Sequence, residues 1–348
     1  MPTTLVNMFN DDAFSLVTLT TEINNIDHVP GRAGELAFAG TGQGVATDTV
    51  MLEMTATALT LIPSSERGAP APQEKQDKAT AKAVSIPHFQ LEETFQASSF
   101  ANVRQLGSNN LISGASSVIT KQMAKMSARH DLTLEHKRLG ALKGIIVDSD
   151  DTVMLNLYTM FGVSPPATVD LSDVLTGSTT EEPLVRMKCN DVVRLMQRTA
   201  KLAWPGSARV WALCGDNLFD RLMESASIRS TVNATDAARQ VLGDSYVNGV
   251  YYFGGIFWEN YRGTDDNATV AIDADACQFF PVGVPGLFEE YYAPADFMET
   301  VNTIGLPRYA KTAVDQELGR WVKLHTQQNP LSICTRPQVL IPGTIGTE

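Results

Sequence analysis

Cysteine is scarce in this sequence. Four residues in 348 are cysteine, at positions 189, 214, 277 and 334, and none sits in a C-x-x-C pair. Spacing so wide excludes a disulfide framework and argues against a cysteine zinc site. The expectation is four buried, reduced thiols. Basic charge is also in short supply: 27 Lys and Arg stand against 39 Asp and Glu, for a formal net charge of -12. Such a chain is not a general nucleic-acid binder, because phosphate contacts need a basic surface. No run of 18 apolar residues occurs, so no membrane span and no membrane partner is expected. The opening MPTTLVNMFNDDAF has no cationic segment, and Asp11 and Asp12 interrupt it early, unlike a secretory signal.

Catalytic and ligand-binding patterns are equally thin. Gly40-Thr41-Gly42-Gln43-Gly44 is rich in glycine. A phosphate loop needs a helix opening at once behind it, and strand alternation follows instead. A flexible hinge is the expectation there. Asp148, Asp150 and Asp151 make one acidic turn and Asp265 with Asp266 another, but position 12 after Asp148 is Thr159, so the calcium-loop pattern fails. Solvated turns account for both. His130 and His136 are six residues apart, not the four that put two metal ligands on one helix face. His28, His88 and His325 are isolated, and no G-x-S-x-G elbow supports a serine nucleophile. The expectation is no enzyme, no metal and no cofactor.

What the sequence does hold is an unusual order of pieces. Residues 1–33 read as an arm with apolar anchors at Phe14, Leu16, Val17, Leu19 and Ile23, ending at Pro30-Gly31. Too little apolar surface is present for it to fold alone. Residues 34–87 read as a long hairpin. Val50, Leu52, Met54, Ala56 and Ala58 alternate with polar or outward positions, and a return strand is expected over Ala83 to Leu91. Few large apolar side chains lie between, so the excursion reads as an arm reaching for a partner.

Good helix formers dominate 115–139, with Ile119, Met123 and Met126 on one face. A hairpin is expected next, with strands GIIVD and TVMLNLY around Asp148-Ser149-Asp150-Asp151. After Pro165-Pro166 the texture is that of an α/β unit. Helices are expected over 190–202, 216–225 and 236–242, and strands over 210–213 and 251–258. Short strands follow at 278–282, 309–314 and 319–326.

Charge is segmented as well. Residues 1–100 carry net -7, residues 101–144 net +5, and residues 145–348 net -10. The basic residues Arg104, Lys121, Lys125, Arg129, Lys137, Arg138 and Lys143 have two readings. They form a solvated helix face, or a cationic surface toward an acidic partner surface or packaged nucleic acid.

Particular residues carry a family resemblance. Val29 to Leu36 (VPGRAGEL), Leu61-Ile62-Pro63 through Arg67-Gly68-Ala69-Pro70, and Ile86-Pro87-His88 with Val103-Arg104-Gln105-Leu106-Gly107 come first. The most distinctive stretch is Arg129 to Gly144, RHDLTLEHKRLGALKG, running on to Phe161-Gly162. Pro285 to Phe288, Tyr292 to Asp296, Glu299 to Thr303, Asn329-Pro330-Leu331 and Arg336-Pro337 complete the set. In this order the motifs resemble the lambda E-type major capsid proteins of tailed bacteriophages, which have the Hong Kong 97 fold.

The resemblance implies an α+β capsid fold. It divides the chain into an N-terminal arm (1–33), an extended loop (34–87), a peripheral domain with a spine helix and β-hairpin (88–165), an axial α/β domain (166–275), and closing strands of the peripheral domain (276–348). It implies a structural protein that assembles into hexamers and pentamers of an icosahedral virion head, formed in the host cytoplasm and enclosing double-stranded DNA without sequence-specific contacts. An encapsulin-like nanocompartment of the same fold is the alternative.

Some relatives carry a cleaved scaffolding region ahead of the arm. Here the loop begins near residue 34, so the expectation is no prohead cleavage and a separate scaffolding protein, with a portal and a decoration protein as further partners. No motif identifies a Lys–Asn crosslinking pair, so stabilisation by non-covalent contacts or by a decoration protein is expected. Expected assembly contacts are Arg32, Glu66, Arg67, Lys75 and Arg336, charged groups at the loop start, the loop tip and the closing segment.

Overall fold

The computed structural model describes residues 15–24, 31–55, 79–100, 111–172, 182–200, 204–225, 249–263 and 270–346. The architecture is mixed α and β, organised around one long helix. That helix, α3 (Leu111–Lys143), has 33 residues. At 1.5 Å per residue it is a rod of about 50 Å. It is longer than the 115–139 reading at both ends and takes in Gly114 and Gly140.

The expected face of α3 is the buried one. Ile119, Met123 and Met126 are each 3% exposed or less. They pack on Leu19 and Ile23 of α1 (Leu16–Asn24), and on Phe95, Ala310, Val322 and Leu324. Residues 16–24 of the arm therefore pack onto the rest of the chain as a helix. A second short helix, α2 (Arg32–Ala37), lies where the sequence reading began the extended loop.

Gly42–Gly44 forms β1, which pairs in parallel with β12 (Phe288–Tyr292). The expected hinge is thus a hydrogen-bonded sheet edge. Next come β2 (Thr49–Thr55) and β3 (Ala79–Ser85), an antiparallel pair with Val50 opposite Val84. Val50, Leu52, Val84 and Ile86 face the core. The expected single strand over 83–91 is two. It breaks at Ile86-Pro87-His88, and β4 (Phe89–Gln96) leaves for another sheet, alongside β14 (Trp321–Gln328) and β13 (Tyr309–Val314). Proline offers no ladder hydrogen bond, so the break falls there. The loop tip, including residues 66–72, lies outside the described residues.

After α3 the hairpin is β5 (Ile145–Val147) and β6 (Val153–Asn156). The second strand stops short of the expected Tyr158. The Asn156 side chain accepts a hydrogen bond from the Thr159 backbone N–H at 3.1 Å and starts a helical turn, α4 (Leu157–Phe161).

The larger sheet has six strands in the order β7-β16-β11-β8-β10-β9. They are β7 (Val169–Asp170), β8 (Arg209–Cys214), β9 (Val250–Phe253), β10 (Ile256–Asn260), β11 (Ala276–Val282) and β16 (Ile341–Thr344). Helices α5 (Glu182–Ala200) and α6 (Asp216–Glu224) cover one face. Val192, Met196, Phe219 and Leu222 meet Val210, Ile256, Trp258 and Phe279 there. The expected strand over 251–258 is a tight hairpin instead. Gly254 and Gly255 turn it with φ of 62° and 84°, a region that L side chains rarely enter. β15 (Pro330–Cys334) pairs with β12. The expected helix over 236–242 lies outside the described residues.

Candidate assembly site

The lower half of α3 carries charge into the interior. Glu135 is 3% exposed. Its carboxylate accepts from the backbone N–H of Ala33 at 2.8 Å and of Gly34 at 3.2 Å, both in the first turn of α2. Four N–H groups at a helix start have no partner within the helix, so a carboxylate there satisfies donors and meets the positive end of the dipole. The Tyr261 hydroxyl donates to the same carboxylate at 2.9 Å, and burial with that neighbouring charge pushes the phenol pKa up. One side chain thus ties α3, α2 and the strand end after β10.

One turn further, Arg138 grips Glu290 of β12. Nε and Nη2 donate to the two carboxylate oxygens at 2.9 and 2.8 Å. Glu290 also accepts from the Tyr292 hydroxyl at 2.7 Å and Ser332 Oγ at 2.8 Å. Burial alone raises the Glu290 pKa, but these bonds and the Arg138 charge outweigh it and hold the carboxyl below its ordinary value.

Lys137 reaches the other way. Its ammonium donates to the Val147 carbonyl at 2.8 Å and to Asp148 Oδ1 at 3.0 Å, beneath the Phe89 ring. Arg308 pairs with Asp131 and donates to Ser127. His130 sits buried against the Thr326 hydroxyl at 3.0 Å, and desolvation, followed by the nearby Arg308 charge, lowers its pKa to about 4.

The basic segment is therefore split. Lys137 and Arg138 are buried partners of acidic side chains, which neither reading of that segment anticipated. Lys121, Lys125 and Arg129 are on the exposed face. The acidic turn at 148–151 is held from within: Asp148 accepts from Ser149 N–H and Lys137, and Asp150 from Thr152. Asp265 and Asp266 lie outside the described residues. All four cysteines are buried and unbridged, as expected. Among the described residues no three His, Cys, Asp or Glu side chains gather as metal ligands, and no helix is long and apolar enough to cross a membrane.

Of the expected contact residues, two are described. Arg32 Nε donates to Glu259 at 2.6 Å and its Nη1 to Glu35 at 2.7 Å, with the guanidinium over the Trp211 ring. Arg336 Nη1 donates to the Ala200 carbonyl at 2.8 Å, placing a cation on the C-terminal end of α5. Glu66, Arg67 and Lys75 lie outside the described residues. The structure does not bring Arg32 and Arg336 to one site. The sequence reading named Lys137 and Arg138 only as members of the basic segment and did not single out Glu135 or Glu290; no local signal marks these charges as buried, because their partners lie on other elements.

These side chains present no nucleophile beside a base in a cleft. They form a rigid internal frame that fixes a helix, two sheets and a hairpin relative to one another. The known proteins agree with that picture. The major capsid protein of Salmonella phage Felix O1 (isolate Felix O1-VT1) is 24% identical, the match covering 94% of this chain and 95% of that protein. The major capsid protein of Pseudomonas phage KPP10 is 22% identical, over 95% and 96%. In fold the chain is similar to a crystal structure described as a prophage capsid protein from E. coli CFT073, with a TM-score of 0.60 at 13% identity over 95% and 99% of the two chains. It is also similar to a subunit of the cyanophage A-1(L) capsid, with a TM-score of 0.50 at 10% identity over 90% and 92%. Residues 15–345 match the family described as phage major capsid protein E. The chain belongs to that family and is a phage major capsid protein with the Hong Kong 97-type fold.

Proposed function

We propose that this chain is the shell subunit of a tailed-phage head, assembling into hexamers and pentamers that close around double-stranded DNA. The observation that carries the reading is the family match along residues 15–345, which spans every described element from α1 to β16. Subunits of this kind gain much of their stability in the assembly, where binding and folding are linked. Weak contacts repeated over many copies become strong through effective concentration. The role is structural, without catalysis, and assembly takes place in the host cytoplasm. A separate scaffolding protein, a portal and a decoration protein are the proposed partners.

In this reading residues 34–87 are the extended loop and the spine helix belongs to the peripheral domain of residues 88–165 and 276–348. The unit after Pro165-Pro166, through residue 275, is the axial domain. Glu66, Arg67 and Lys75 at the loop tip, with Arg32 and Arg336, are proposed contact residues. An acidic chain suits a wall that holds DNA without gripping it, since phosphate binding needs a basic surface.

The test is electron microscopy of native particles with absorbance at 260 and 280 nm on the same sample. Closed icosahedral shells rich in nucleic acid are expected. Closed shells without nucleic acid would leave a nanocompartment of the same fold or an empty prohead. Small uniform oligomers across salt conditions would overturn the shell reading.

A further inference from the structure

Between β12 and β13 the chain makes a turn that exposes large apolar side chains. Met298 is 93% exposed, Ile304 70%, Val301 59% and Leu306 44%. Four such residues fall within nine positions, denser than the scattered exposure normal for a surface. The turn is also rigid. The buried Thr300 hydroxyl donates to the Ala295 carbonyl at 2.6 Å, and Thr303 Oγ1 donates to the Thr300 carbonyl at 2.8 Å. Lys311 holds Glu299 at 2.8 Å and lies over the Phe297 ring. The Gly305 N–H donates to the Val45 carbonyl at 2.9 Å, and the Leu306 N–H to the Tyr309 hydroxyl at 2.8 Å. Gly305 lies so close to β12 that an added Cβ would stand 2.0 Å from the Tyr292 carbonyl oxygen.

A loop preorganised this way loses little conformational freedom on binding, so its exposed side chains can act as interface anchors. We infer that the Met298–Leu306 turn is a knob that seats against a second copy of this chain. The inference rests on the shell-subunit reading above. Area selects the occupant. The four side chains present about a few hundred Å² of apolar surface, roughly half of the ~800 Å² that one partner commits to a standard stable interface. That is too small for a tight one-to-one complex with a free partner. It suits a contact repeated through a lattice of identical subunits, where each contact is weak and the sum is not. The knob is one unique surface of the chain, and its seat is a different surface of the neighbour. Such a heterologous contact propagates through an assembly where a two-fold contact would stop at a dimer.

Two experiments test this. In the first, a photo-crosslinking p-benzoylphenylalanine replaces Met298 in particles assembled in the infected cell. Irradiation should give a product of twice the subunit mass. A product of any other mass, or none, overturns the assignment of the partner. In the second, Met298→Ser combined with Ile304→Asp is compared with the unaltered chain. The circular dichroism of the subunit should be unchanged and its melting temperature nearly so, because Met298 is 93% and Ile304 70% exposed. The assembled fraction should fall at least about tenfold, the effect of losing 1.4 kcal/mol in one contact. Normal particle yield from the double variant overturns the inference and leaves the shell reading standing. Failure of the unaltered chain to form shells overturns the shell reading itself.

Discussion

Arg138 and Glu290, 152 positions apart in the chain, meet through two parallel hydrogen bonds of 2.9 and 2.8 Å in the interior between α3 and β12. Their side chains are 8% and 2% exposed. Glu290→Gln leaves the guanidinium buried without its counter-charge and is expected to cost about 3–5 kcal/mol. Replacing both residues by methionine is expected to cost less than that single change. Urea unfolding of the dissociated subunit measures both. A Glu290→Gln variant as stable as the parent would show the pair to be dispensable.

Acid should act on two groups in different pH ranges. His130 is neutral inside, with a pKa of about 4 against an ordinary 6.5. The unfolded chain therefore binds a proton first as pH falls, and stability is lost from about pH 6.5 down to about pH 4. The full loss is about 3 kcal/mol. Glu290 acts in the same direction at lower pH. Its folded pKa lies below 4.5, so its stabilisation is present above that value and disappears as pH falls through the folded pKa. His130→Gln is expected to flatten the melting temperature between pH 6.5 and 4.5 while leaving the steeper drop below. Superimposable curves for the two proteins would mean that His130 does not titrate in this range.

Gly305→Ala should be among the most disruptive single-methyl changes. Its Cβ would stand 2.0 Å from one carbonyl oxygen, so β12 or the turn has to shift. A loss of several kcal/mol or insoluble protein is expected, in line with other overpacked sites. Gly206→Ala is the matched control: nothing lies within 4 Å of its added Cβ, and a change within about 0.5 kcal/mol is expected. Comparing soluble yield and melting temperature separates the two.

Lys137→Met tests the hairpin tether. The ammonium is nearly inaccessible, and it holds the Val147 carbonyl and Asp148. Its loss should cost about 1–3 kcal/mol, because the half-buried Val147 carbonyl and the Asp148 carboxylate lose this charged donor. Amide exchange should accelerate through residues 145–156 and much less in the six-stranded sheet. Uniform exchange rates in the variant and the parent would rule the tether out.

The sequence was most legible where one period ran long enough. The Ile119, Met123 and Met126 face was correct, and so were the strand at 309–314 and the helix starting at Asp216. It was least legible where a few residues decide between two local states. Leu157–Phe161 looks like strand by composition, yet Asn156 caps it into a helix. Tyr251 to Trp258 looks continuous, yet two glycines fold it back. The glycine-rich run at 40–44 reads as a hinge because its partner strand, β12, lies about 250 residues away and parallel pairing leaves no local trace. The charged frame was hidden for the same reason. Lys137 and Arg138 look like surface residues until Asp148 and Glu290 are placed beside them.

The position of β16 has a consequence for synthesis. Residues 341–344 lie inside the six-stranded sheet, hydrogen-bonded to β7 on one side and β11 on the other. The strand nearest the end of the chain is thus an interior strand. Ribosomes release a chain from its beginning, so the sheet stays open until residue 344 has emerged, and long-range pairing of this kind is slow to form. A copy that stops before residue 341 leaves β11 with an unpaired edge and β7 without its partner, so the sheet is completed only when this late strand arrives.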